Sequence, residues 1–230
     1  MPLGPDAKSY LERLAALGAP PITELAPAEV RLAAEATAAD LFGPTDPVGA
    51  VVDQALPGPI RTRVYQPPGG ARDLPVLVYF HGGGWVAGSL DTHDGVCRAL
   101  CARTPCVVVS VDYRLAPEHR FPAAVEDAWA ATAWVAEHAA SIGGDASRIA
   151  VAGDSAGGTL AAVVALRARD HGLALRLQLL VYPVTDPDFD TPSYGEYASG
   201  YGLTRDGMRW YWDHYLGPDG DGSSPEAADF

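Results

Sequence analysis

An α/β architecture with a mostly parallel sheet is what this 230-residue sequence predicts. Short, continuously apolar runs recur at residues 76–80, 106–111, 149–152 and 177–182. Helix-patterned segments stand between them, the arrangement expected of strands covered on both faces. Hydrophobic residues make up 48% of the chain, enough for the core of one sizeable domain, which excludes disorder as a whole-chain reading.

The elements follow in order. Residues 1–45 read as two helices broken by Gly18-Ala19-Pro20-Pro21. Tyr10, Leu11, Leu14 and Leu17 recur at helical spacing in the first. Pro27 is placed to open the second, and Gly43-Pro44 to end it. Val51-Val52 and residues 60–65 read as two short strands joined by the turn Pro57-Gly58-Pro59. Strand 76–80 leads through a glycine loop to a helix at 96–102. Strand 106–111 precedes a helix at 123–140, and strand 149–152 a helix at 157–169. After strand 177–182 come a loop rich in Asp, Gly, Tyr and Pro, an amphipathic helix over 204–216, and a polar tail. There are no internal repeats.

Sixteen basic and 29 acidic residues give a net charge of −13, which argues against nucleic-acid binding and against docking on anionic membranes. No stretch approaches the ~20 apolar residues of a membrane span. The N-terminus lacks the basic start and apolar run of a secretory signal, so a cytoplasmic location is expected. Cys97, Cys101 and Cys106 form no even-numbered disulfide framework and no zinc spacing, so they read as buried free thiols. No metal and no cofactor is expected.

The chemistry lies in two glycine motifs. Gly153-Asp154-Ser155-Ala156-Gly157 matches Gly-x-Ser-x-Gly between an apolar strand and a helix-forming run. A serine at such a turn projects its hydroxyl beyond the sheet edge, and flanking glycines are required where side chains would strike neighbouring backbone. The helix start behind it favours the negative charge that develops on a reacting carbonyl. The bland alternative is a tight packing turn. The second motif, His81-Gly82-Gly83-Gly84-Trp85, follows the strand at 76–80. Consecutive glycines leave N–H groups free for a ligand, as in an HGGG-type oxyanion loop that complements the amide after the nucleophile, here Ala156. Its alternative is a dinucleotide loop: Gly82-x-Gly84-x-x-Ala87 loosely fits the Rossmann fingerprint, with Asp112 at a later strand end. That reading leaves Gly-x-Ser-x-Gly unexplained.

With HGGGWVAGS at 81–89, DYRLAPEHRFPAAVEDA at 112–128 and GDSAGG at 153–158, the sequence resembles the hormone-sensitive-lipase-like carboxylesterases of the α/β-hydrolase fold. The resemblance implies a three-layer α/β sandwich. It also implies an N-terminal helical cap over 1–45, a core over 46–230, and a second cap-like segment over 184–216. By the same likeness Ser155 is the nucleophile and Gly83, Gly84 and Ala156 are the oxyanion donors. His81 and Gly82 support the oxyanion loop; Gly153, Asp154 and Gly157 form the nucleophile elbow. The stretch at 113–118 is structural. The implied substrate is a small uncharged ester.

A serine nucleophile needs a base, and the base an orienting acid. In this fold both follow the serine in the chain, and the family's Asp-Pro motif and later histidine have no counterpart here. His171 lies 16 residues along one helix, ~24 Å away at 1.5 Å per residue. His214 reads as a packing or surface position and Asp186 as a loop residue. His93, His119 and His138 read as loop or helix-surface positions, and His81 belongs to the oxyanion loop. The expectation is therefore a hydrolase core lacking its last strands and weakly active or inactive by itself. Its strand at 177–182 forms an apolar sheet edge open to self-association. A non-catalytic small-molecule binding module on the same fold is the second reading, and a nucleotide-dependent Rossmann enzyme the third.

Overall fold

Val78 sits level with Val109 on one neighbouring strand and Val151 on the other, at the centre of a six-stranded sheet. The computed structural model describes residues 3–217. Its strands are β1 (Ala50–Ala55), β2 (Arg61–Gln66), β3 (Leu74–Phe80), β4 (Val107–Asp112), β5 (Gly144–Asp154) and β6 (Leu175–Val181), in the spatial order β1-β2-β4-β3-β5-β6. The first three in that order pair antiparallel, and β4, β3, β5 and β6 run parallel.

Alternation along the strands divides the core. Val76, Val78 and Phe80 face one side with Val107, Val109 and Val111. There α4 (Ala123–His138) and α5 (Ala156–Asp170) cover them. Leu77, Tyr79 and Val108 face the other side, against Cys97 and Cys101 of α3 (Asp94–Arg103). This period of two is why the strands are apolar without interruption. All three cysteines are buried free thiols; burial pushes Cys97 up to about 12 and Cys101 up to about 11.

Before the sheet come α1 (Pro5–Ala16) and α2 (Pro27–Phe42), the latter begun by Pro27 as its sequence predicts. After it come α6 (Pro192–Glu196) and α7 (Arg205–Leu216), whose Met208, Trp212 and Tyr215 enter the main core. Burying aromatic side chains of this size contributes about 2–3 kcal/mol each. The polar tail beyond Gly217 lies outside the described residues.

The sequence reading missed a 3₁₀ turn at Ile22–Glu24 and the single-turn α6. It also shortened β5, whose first residues Asp145 to Arg148 are polar and mostly exposed, although Gly144 already pairs with Leu74. The expected edge is present: β6 ends the sheet, with Leu177 59% exposed and Leu179 38%. Among the described residues no helix is long and apolar enough to cross a membrane.

Candidate active site

Ser155 stands between β5 and α5 at φ 52°, ψ −121°. A non-glycine residue in that region costs about 1–3 kcal/mol and persists only where neighbours over-determine it. Here the Ser155 N–H donates to Val181 O at 2.9 Å, and its carbonyl accepts from Thr159 N at 3.1 Å. A Cβ on Gly157 would run into the Phe80 carbonyl oxygen, so α5 starts directly against the end of β3. The N-terminus of α5, with its partial positive charge, lies at this serine.

The loop after β3 carries His81 to Trp85. Gly83, at φ +120°, accepts through its carbonyl from Val86 N (3.1 Å) and Ala87 N (2.9 Å), closing a turn that a side chain would obstruct. Among the described residues the backbone N–H groups of Gly83, Gly84 and Ala156 donate to no backbone acceptor. His81 is fully buried, its ring stacked on Tyr113 at 4.3 Å, and Tyr113 Oη donates to the His81 carbonyl at 2.7 Å. Burial, assisted by neighbouring His93, pushes the His81 imidazole down to about 3, so it is neutral.

Asp154 joins the two motifs. Its Oδ1 accepts Tyr79 Oη at 2.6 Å and Gly82 N–H at 3.0 Å, and lies 3.4 Å from His93 Nε2. Burial would raise this carboxyl, but its contacts with His93, Tyr79 and Gly82 outweigh that and hold it below the ordinary carboxylate value. His93 lies in the turn before α3, the loop alternative of its sequence reading, yet only 16% of its side chain is exposed. A histidine just ahead of a helix gives no sequence signal of burial, because the group it meets is 61 residues away.

The segment 113–118 braces the loop from behind. Ala116 N donates to Trp85 O at 2.9 Å. Arg31 of α2, which the sequence did not single out, donates from Nε to Val86 O and from Nη2 to Ala116 O, both at 2.7 Å, and pairs with Glu118. On the other side Trp85 stacks on Tyr215 at 4.1 Å and packs tilted against Trp212 at 4.9 Å, and Tyr211 lies against Gly84. The helical spacing of aromatics at 211, 212 and 215 was visible; that their target is the glycine loop was not.

A cavity of about 610 Å³ opens at Ser155, lined also by Tyr182, Val184, Asp186, Tyr194 and Met208. Asp186, read as a loop residue, therefore faces this space; its carboxylate accepts from Asp188 N at 2.6 Å. A second cavity, about 770 Å³, lies between residues 14–24 and 198–211. The histidines after Ser155 are engaged elsewhere: His171 packs tilted against Trp129, and His214 packs against the Trp210 ring with its Nδ1 2.7 Å from the Trp210 carbonyl oxygen. His119 is exposed, and His138 stacks on Trp134. Among the described residues none hydrogen-bonds to the Ser155 hydroxyl. Asp112, the acid a dinucleotide site would use, is paired with Arg61 at 2.7 Å. Gly82 N–H, which that site would offer to phosphate, is already bound to the Asp154 carboxylate.

A strand–serine–helix turn joined to an HGGG loop, on a sheet of this order, is the arrangement of one fold family. The sequence profile of the α/β hydrolase fold matches residues 77–229, and the chain belongs to that family, in its hormone-sensitive-lipase-like carboxylesterase branch. It is similar to esterase LipI of Mycobacterium tuberculosis, 54% identical over 178 residues, 73% of this chain and 56% of LipI. It is 39% identical to the ethyl acetate hydrolase of Pseudomonas putida over 230 residues, covering 94% of this chain and 71% of that one. The structure of the hyperthermophilic esterase from Pyrobaculum calidifontis superposes with a TM-score of 0.89 at 44% identity, over 99% of this chain and 75% of that chain. The chain spans about half the length of its mycobacterial relatives, from 46% to 56%.

Proposed function

We propose that this chain carries the nucleophile and oxyanion hole of a serine carboxylic-ester hydrolase acting on small uncharged esters. The observation that carries the reading is the strained Ser155, opening on a cavity and tied through Asp154 to the glycine loop. In the proposed reaction Ser155 Oγ attacks the ester carbonyl carbon, and its proton passes to a base. The carbonyl oxygen becomes an oxyanion held by the N–H groups of Gly83, Gly84 and Ala156, which no backbone group occupies. The alcohol leaves with a proton, and water then cleaves the acyl-serine to acid and free Ser155. Helices α1 and α2 and the segment 184–216 serve as caps bounding the substrate space.

Because no histidine among the described residues hydrogen-bonds to the Ser155 hydroxyl, slow turnover by these residues alone is proposed. Serine hydrolases deprived of a triad member retain ~10³–10⁴ over water from the oxyanion hole and binding. Hydrolysis of a chromogenic short-chain ester is therefore expected above the uncatalysed rate and abolished in Ser155→Ala. Equal rates for both proteins would remove the hydrolase reading.

The same placement of histidines favours a second reading, a binding module that holds a small molecule without cleaving it. Saturable ligand binding that survives Ser155→Ala, without any hydrolysis, would support it. Self-association along β6 is also proposed, supported by the exposure of Leu177 and Leu179. A sedimentation coefficient that rises with concentration is the expected outcome, and one that does not change contradicts it.

A further inference from the structure

His93 is held in a polar pocket rather than on a surface. Its Nδ1 lies 2.9 Å from Thr92 Oγ1. That hydroxyl also lies 3.0 Å from the Ser89 carbonyl and accepts the Ser89 N–H at 2.8 Å. Nε2 faces Asp154 Oδ1 at 3.4 Å, which is an acceptor. A proton on Nε2 lets the ring donate toward Asp154, while Nδ1 meets the Thr92 hydroxyl. The ring also packs beside Tyr79 and His81, at centroid distances of 6.3 and 5.4 Å.

We propose that His93 is a positioning residue for the Ser155 site: through Nε2, which faces Asp154 Oδ1, it holds that carboxylate in place as the shared acceptor of Tyr79 and Gly82. The proposal rests on the reading of Ser155 as nucleophile. Its physical basis is the cost of an unpaired buried carboxylate, which would take up a proton or turn toward water. Turned away, it leaves the Gly82 N–H without an acceptor, and protonated it accepts that N–H more weakly; either loosens the register of Gly83 and Gly84 with the elbow. The titratable and charged groups around the ring are Tyr79 from β3, His81 from the glycine loop, Asp154 from β5 with Tyr182 near it, and Asp94 on its own helix. Asp94 is already bound by Arg98 and Tyr65. Asp154 is thus the acceptor left for Nε2.

Two readouts test this. His93→Ala is expected to speed amide exchange at Gly82 by roughly tenfold or more while the β3 amides stay protected. Independently, labelling of Ser155 by a fluorophosphonate should slow roughly tenfold or more in His93→Ala. His93→Gln, which keeps a donor toward Asp154, should restore most of the rate. Unchanged Gly82 exchange in a folded His93→Ala protein overturns the proposal. If wild type itself fails to label, the nucleophile reading fails, and amide exchange at Gly82 still decides the role of His93.

Discussion

The carboxylate of Asp154 accepts the backbone N–H of Gly82 at 3.0 Å, so the residue before the candidate nucleophile is bonded to the residue before the first candidate oxyanion donor. The two motifs are 72 residues apart in sequence, and their register rests on one oxygen atom that also accepts Tyr79 Oη at 2.6 Å. Replacing Asp154 with alanine leaves both donors and the His93 ring without their acceptor. A loss of about 3 kcal/mol is expected from urea unfolding, and Asp154→Asn, which keeps one oxygen, should lose about half as much. Equal stability of Asp154→Ala and wild type would show that the bond has no structural weight.

His81 makes stability depend on pH. The folded ring is held at about 3 by burial, whereas in the unfolded chain it binds a proton near 6.5. Below about pH 6.5 the unfolded state therefore holds more protons, and stability falls as pH drops toward about 3. Asp154 acts in a lower window: its depressed value gives stability that is present above the unfolded carboxylate range and lost only as pH falls through the folded value. Urea unfolding at about pH 5 and 6 thus isolates His81. His81→Phe should be less stable throughout, but its pH slope should be shallower by about 1.4 kcal/mol per pH unit. Parallel slopes would refute the buried neutral ring.

Arg31 fastens α2 to the back of the glycine loop through the carbonyls of Val86 and Ala116. Its pairing with Glu118 contributes little, because that carboxylate is largely exposed. Arg31→Met should lower stability by about 1–2 kcal/mol, and Arg31→Lys should not rescue it, since an ammonium cannot span two carbonyls as the guanidinium fork does. Glu118→Gln should stay within about 0.5 kcal/mol of wild type. Denaturation midpoints of the three variants check the order.

The strands and both glycine motifs were legible because their signals are local. Uninterrupted apolar runs mark two-sided burial, and a glycine on either side of Ser155 marks close backbone approach. Helix α2 was readable from Pro27 at one end and Gly43-Pro44 at the other. What escaped was set by partners distant in sequence. Nothing near His93 predicts that its ring meets Asp154, and nothing near Arg31 predicts carbonyl partners 55 and 85 residues away. The start of β5 was missed for a different reason: a polar strand end pairs through its backbone, which leaves no hydrophobic period to detect.

The most direct test of the central claim is the intact mass of the protein after incubation with a fluorophosphonate, followed by peptide mapping. One adduct, located on Ser155 and absent from Ser155→Ala, is the predicted result. No adduct after prolonged exposure, or an adduct that persists in Ser155→Ala, would contradict it.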